Sequence, residues 1–302
     1  MESARVIDRL VADEAGPTLI IVGGMHGNEP AGVDEARSVL GALRAFETPI
    51  RGEIIALAGN VRGLAAETRY LARDLNRMWT AERIAEARAT KDRQAETAEV
   101  VELADMLDEI IARARGPVYA LDLHTTSAAG VPFSVVGSSA VRRTFARNFH
   151  IPGLVGLEEA LEGVLTTYLS TKGCVAMAVE GGQHKSPDAA ESLAAVITVA
   201  LAVTGVADAK DLPELADAEA HLTRARGDLP PLIGVVSRYA VEPALGFHME
   251  PGFANIQRIR RGTLIAKDGS GEIRAPFDGL VLLPLYQAQG SDGFFYGRPI
   301  SE

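Results

Sequence analysis

Residues 20 to 32 read "IIVGGMHGNEPAG". Three branched apolar residues run into two glycines, and His26 and Glu29 follow three positions apart. A short apolar run closed by turn residues marks a strand buried on both faces. Glycine lets the backbone turn at the strand end without a Cβ clash. In open α/β sheets the residues that bind ligands collect beyond the carboxyl ends of the strands. His26 and Glu29 stand there, and a separation of about one helical turn puts both within reach of one cation.

The same signature recurs outward along the chain. "TLIIVGG", "EIIALAG", "VYALDLH", "FSVVG" and "VAMAVEGG" are strand-like runs. Amphipathic stretches separate them, such as Asp92 to Ala114, whose Val100, Val101, Leu103, Met106, Leu107, Ile110 and Ile111 share one side. The alternation predicts an α/β fold over residues 1–210, a mostly parallel or mixed sheet flanked by helices. Residues 211–230 turn acidic, alanine-rich and proline-flanked, which predicts a connector with a short helix. Brief β-like runs punctuated by Gly, Pro and Asp follow. They predict a small β-rich C-terminal domain within residues 211–302, an antiparallel barrel or sandwich.

With 302 residues, 47% of them hydrophobic, the chain can bury a sizeable core. A formal charge of −10 and no basic cluster longer than Arg260-Arg261 argue against nucleic acid and an anionic membrane as partners. The N-terminal "MESARVIDRLVADEAG" carries acids and no apolar segment, so a signal peptide is not expected. The longest apolar run, Leu193 to Val203, is short for a bilayer and follows Ser186 and Pro187, a cap and a first-turn proline; it predicts a buried helix. Cys174, the single cysteine, lies in "GCVAMAV" and is expected to be a small buried hydrophobe. A cytoplasmic protein is expected, and the sequence leaves a homo-oligomer open.

A metal site needs a third ligand. His124 ends another apolar strand in "YALDLHTTS", with Asp122 two residues earlier as either a partner behind it or an internal buried acid. Two histidines and a glutamate with an open fourth position form the donor set of catalytic zinc, which activates water near neutral pH. Taken singly, each histidine is more often a hydrogen-bonded structural residue; together, at two strand ends, they point to a metal. Glu180, at a strand end in "VEGGQH" just before His184, is placed to take a proton in the crevice, the plain alternative being a solvated strand end. In "GNVRGLAAETRYLARDLNRMW", Arg62, Arg69, Arg73 and Arg77 default to the surface. Asn76-Arg77 is the exception, since Leu75, Met78 and Trp79 around it suit a partly buried guanidinium that captures a carboxylate.

In this order, "GGMHGNE", "TRYLARDLNRMW", "LDLHTTS" and "VAMAVEGG" resemble the aspartoacylase and succinylglutamate desuccinylase family, whose catalytic domain shares the zinc carboxypeptidase fold. The resemblance runs from Leu19 to Gly182 and, more loosely, through "GTLIAKDGSGEIRAPFDGLVLLP". It implies one zinc per chain on His26, Glu29 and His124, Glu180 as general base, Arg69 beside the oxyanion, and Asn76 with Arg77 on the substrate's α-carboxylate. It also implies a C-terminal domain that caps the cleft and admits small acylated amino acids. The expected activity is therefore zinc-dependent hydrolysis of the amide of a small N-acylated amino acid. A carboxypeptidase acting on short peptides, or a binding module with a structural metal, would be the rivals.

Two positions depart from the family pattern. Members of the aspartoacylase kind carry a further arginine shortly before the catalytic glutamate; here the segment is "TTYLSTKGCVAMAVE", with Tyr168 and, as its only cation, Lys172. Their C-terminal tyrosine has Tyr286 and Tyr296 as candidates. With Lys172 and the Arg142-Arg143 pair as the remaining cations, substrates with neutral side chains are expected to outrank N-acetylaspartate.

Overall fold

The structure, a computed structural model, describes residues 5–137 and 139–300. Strand β1 (Val6–Val11) is followed by β2 (Thr18–Gly23), the strand read from Ile20 onward, and by helix α1 (Ala31–Ala45). Next come β3 (Glu53–Ala58), α2 (Val61–Ala65), α3 (Ala81–Ala89), α4 (Glu96–Arg113) and β4 (Val118–Thr126). The chain continues through β5 (Phe133–Val136), α5 (Ala140–Arg147), β6 (Gly153–Val155), α6 (Leu165–Thr171) and β7 (Val175–Gln183). Helices α7 (Pro187–Thr204) and α8 (Leu215–Arg226) precede β8 (Leu232–Ala240) and β9 (His248–Met249). The last strands are β10 (Gln257–Ile259), β11 (Leu264–Asp268), β12 (Gly271–Arg274), β13 (Gly279–Leu282) and β14 (Asp292–Pro299).

All six residues of β2 are buried. Leu19 and Ile21 face one apolar cluster, built with α1, α7 and α8, while Ile20 and Val22 face another, built with α3, α4 and α6. Successive strand residues point to opposite faces, so a sheet covered on both sides needs an unbroken apolar run. β3, β2, β4 and β7 pair in parallel in that order. β5 runs antiparallel to β7, and β1 runs antiparallel to β3 at the edge, which makes the sheet mixed.

β1 was not foreseen. Its "VIDRLV" intersperses charged residues and leaves one side partly exposed, as an edge strand can. Helix α7 is the buried helix expected from "SPDAAES", with Pro187 in its first turn, but the Ser186 side chain makes no capping bond. By length and hydropathy α7 could cross a membrane, alone among the helices of the described residues, yet it lies packed in the core. The short helix of the connector is α8, and its Ala218 and Leu222 join the same core.

The C-terminal strands are β-rich as expected, but they form no separate barrel. β6 pairs in parallel with β8, and the main sheet continues β8-β14-β13-β10, reaching eleven strands. A three-stranded sheet, β12-β11-β9, packs across its end through Met249, Ile265, Val281 and Phe294, which makes a local sandwich.

Two glycines after β2 are required by space. Gly24 has φ +67, and a Cβ there would lie 2.7 Å from the Leu64 side chain. A Cβ on Gly27 would lie 2.0 Å from the carbonyl carbon of Gly63 in α2. Gly27→Ala is therefore expected to destabilise the protein by about 2 kcal/mol or more, since backbone must move. An unchanged denaturant midpoint would show that α2 does not press on this turn.

Candidate active site

The turn after β2 delivers His26 and Glu29. β4 delivers Asp122 and His124, and β7 delivers Glu180 opposite His124 in the parallel register, so both side chains leave the same face of the sheet. Glu29 sits between the histidines, with Oε1 2.9 Å from His26 Nδ1 and Oε2 3.0 Å from His124 Nδ1. Each histidine has a second carboxylate at its other nitrogen. Asp74 Oδ1 is 3.1 Å from His26 Nε2, and Asp122 Oδ2 is 3.0 Å from His124 Nε2, in ion-pair contact without hydrogen-bond alignment.

The donor atoms of His26, Glu29 and His124 lie within 4.8 Å of one another, and all three residues are buried. Two imidazoles and a carboxylate converging in this way, each imidazole backed by an acid, suit a divalent cation. The Oε2 atom of Glu180 is buried with no hydrogen-bond partner, as a group waiting for a water or ligand in the same cleft would be.

The loop of residues 69–77 supplies the rest. Backbone N–H groups of Leu71, Ala72 and Arg73 donate to the Glu96 carboxylate at 2.7, 2.9 and 3.1 Å. Asn60 Nδ2 donates to the same group at 3.0 Å. Arg69 then donates to Glu29 at 3.3 Å and to Asp74 at 3.1 Å, while its Nε is buried without a partner. Asp74 accepts from the Asn76 N–H at 2.9 Å and starts a single turn of helix over Leu75–Arg77. Asn76 Oδ1 accepts from Leu165 N–H at 2.9 Å, and its Nδ2 lies 3.3 Å from His124 Nε2. Arg77 donates to the Asn76 carbonyl at 2.9 Å and to Asp292 at 3.1 Å.

All seven residues singled out in the sequence, His26, Glu29, Arg69, Asn76, Arg77, His124 and Glu180, thus line one cleft. Its far wall is mostly apolar, with Val135, Leu157, Leu161 and Val164 beside Glu158 and Thr166, and its outer rim comes from the β13–β14 loop.

Charge in the cleft is unevenly held. Burial alone would raise Glu29 and Asp74, but His26 heads the attractions that hold both carboxyls well below the usual range. Burial would lower His124, yet Asp122 and Glu29 keep it well above the ordinary imidazole value. Glu180 goes the other way. Burial pushes it up to about 8, because attraction from His124 and Arg69 is countered by Glu29 and Asp122. A divalent cation among the donors would displace the imidazole protons and favour the Glu180 carboxylate.

Several candidates stand elsewhere. Lys172 is 2.9 Å from Asp108, which also accepts from the Tyr168 hydroxyl, so neither residue reaches the cleft. Arg142 is buried, bonding the Ala176 carbonyl and, through both terminal nitrogens, Glu158. Tyr286 donates to the Glu250 carbonyl, and Tyr296 is buried against the Phe277 carbonyl; neither tyrosine lines the cleft. Burial pushes the Cys174 thiol up to about 11, in keeping with an inert apolar residue. His184 stands at the margin, 2.7 Å from Thr125 Oγ1 and 3.3 Å from Gln287 Oε1. Asp74, Glu96 and Asp292 went unread in the sequence. Only Asp74 gave a signal, as the acid two residues before Asn76.

Residues 15–225 match the family model described as the succinylglutamate desuccinylase/aspartoacylase catalytic domain. A succinylglutamate desuccinylase of Burkholderia pseudomallei is 26% identical over 267 residues, covering 83% of this chain and 70% of that protein. Among solved structures, a succinylglutamate desuccinylase/aspartoacylase from Rhodobacter sphaeroides superposes with a TM-score of 0.69 at 19% identity, covering 96% of this chain and 87% of that one. Murine aminoacylase 3 superposes at 0.59 and 19% identity, covering 96% and 97%. At these identities the structural likenesses establish the fold.

Chelator-stripped protein is expected to take up one divalent ion per chain, measured by elemental analysis. His26→Ala or His124→Ala is expected to lose most of it. Full occupancy in either variant would remove that histidine from the ligand set.

Proposed function

The chain belongs to the succinylglutamate desuccinylase/aspartoacylase family, and from that membership we propose that it hydrolyses the amide bond of a small N-acylated amino acid, using one zinc ion per chain. The observation that carries this is the unpartnered Glu180 oxygen in a cleft where two imidazoles and Glu29 converge. When bound by His26, Glu29 and His124, zinc supplies Lewis acidity, polarising the scissile carbonyl and making water acidic near neutral pH.

The chain's own residues do the rest. Glu180 takes the proton of the attacking water and delivers it to the departing nitrogen. Arg69 is braced by Glu29 and Asp74 and keeps its Nε–H free for the oxygen that becomes negative as the carbonyl turns tetrahedral. Arg77 and Asn76 hold the substrate's α-carboxylate and so orient the amide without touching the bond that breaks. The rim formed by Pro284, Leu285 and Gln287 narrows the cleft, which favours a short acylated amino acid over a peptide chain.

A hydrolysis screen of N-acyl amino acids with zinc-loaded protein tests the proposal, C-terminal peptides serving as the rival substrates. Glu180→Gln is expected to keep its metal while kcat falls about 10²- to 10⁴-fold; loss of metal with activity would assign Glu180 to the ligand set instead.

The two arginines should separate kinetically. Arg77→Lys loses the planar fork and is expected mainly to raise KM. Arg69→Ala is expected mainly to lower kcat, by about 10²- to 10³-fold. Identical signatures would refute this division of roles.

Substrate preference is expected to follow from the wall facing the metal donors. Lys172 is engaged away from the cleft, Arg142 is tied through both terminal nitrogens to Glu158, and the wall that Val135, Leu157, Glu158, Leu161 and Val164 form presents no uncommitted cation. A second substrate carboxylate would lose water there without gaining a partner. Acyl amino acids with neutral side chains are therefore expected to exceed N-acetylaspartate in kcat/KM. A tenfold preference for N-acetylaspartate would overturn this.

A further inference from the structure

Asp292 opens β14 at the cleft rim, with its side chain 15% exposed. Its Oδ2 accepts from Arg77 Nη2 at 3.1 Å, and its Oδ1 accepts from Arg238 Nε at 2.5 Å. Arg238 lies on β8, the neighbouring strand. Ser291 Oγ donates to Oδ2 at 3.4 Å. One carboxylate from the C-terminal strands therefore grips the arginine assigned above to the substrate.

Charge counting decides what this grip does. Arg77 and Asp292 alone would be a neutral pair, and an incoming carboxylate would have to displace Asp292. Arg238 adds a second guanidinium, so the three groups together keep one positive charge. Hydrogen-bond counting agrees. A guanidinium has five N–H donors, and the bonds of Arg77 to Asn76 and Asp292 use one from each terminal nitrogen. Three N–H remain, enough for a two-point bond to a carboxylate. A long side chain held in place before the substrate arrives loses less freedom on binding.

We infer that Asp292 is a positioning residue: it holds the Arg77 guanidinium for the substrate α-carboxylate, and Arg238 offsets its charge so that the group stays cationic. The inference rests on the assignment of Arg77 made under Proposed function. It joins the C-terminal strands to substrate recognition by an ion pair across 215 positions of sequence.

The test measures binding in a background of slow turnover, zinc-loaded Glu180→Gln, by calorimetry with N-acetyl-L-leucine and its C-terminal amide. Adding Asp292→Ala is expected to weaken the acid about 10- to 50-fold, the worth of a charged hydrogen bond, and to leave the amide within about twofold. Asp292→Asn, which keeps an acceptor, should fall between. Arg238→Ala is expected to weaken the acid by a smaller factor, because Asp292 then cancels Arg77. With Glu180 intact, Asp292→Ala should raise KM and leave kcat within about threefold.

Equal or tighter binding of the acid by Asp292→Ala would overturn the inference, tighter binding meaning that Asp292 competes with the substrate. Equal weakening of acid and amide would also overturn it, as general damage to the rim. If the background protein binds neither probe, the assignment of Arg77 falls and this inference falls with it.

Discussion

Everything that residues 69–77 bring to the cleft depends on one buried carboxylate. Glu96, at the start of α4, is 1% exposed and accepts three successive backbone N–H groups from Leu71 to Arg73. Those hydrogen bonds, first among them the one from Leu71, outweigh burial and hold its carboxyl below the usual range. A loop without regular structure has few ways to satisfy its donors away from water. Here a charged acceptor satisfies three of them at once, and the chain just before and after that point carries Arg69, Asp74, Asn76 and Arg77. Removing the acceptor would leave three donors to find new partners and free the loop to move.

The site itself has a nested order. The histidines face Glu29 through one nitrogen and an aspartate through the other, so each ring can turn only by breaking a contact on both sides. Arg69 then bridges Glu29 and Asp74, linking the β2 turn to the loop. The convergence is prepared by strand register, since a parallel pair places His124 beside Glu180 with no loop to define their spacing. Strands carry His124 and the base, and the tight turn after β2 carries His26 and Glu29. Loops carry the groups that meet the substrate.

What was legible in the sequence follows from this division. β2, β3, β4 and β7 announce themselves because burial on both faces demands continuous apolar residues, and the ends of such strands tell where ligand-binding residues must lie. β1 stayed hidden because an edge strand tolerates Asp8 and Arg9 within it. Glu96, Asp74 and Asp292 stayed hidden for a different reason. An acid in a helix, in a loop or at a strand end is by default solvated, and only the fold shows that these three face donors rather than water. The direction of Lys172 was not legible either, for closeness in sequence to Glu180 says nothing about direction, and at the end of α6 it lies against Asp108.

The parallel pairing of β6 with β8 has a consequence for the chain as a physical object. β6 is three residues long, and β8 covers its outer edge. Behind that edge Phe133, Leu154 and Leu157 share one apolar cluster with Ile233, Leu280 and Phe295 from the last strands. A chain ending after α8 would present an uncapped sheet margin and half of an apolar cluster to its neighbours. Unprotected margins of this kind recruit other chains. The final strands cover that margin, and the match to the family's catalytic domain, which ends at residue 225, stops short of them.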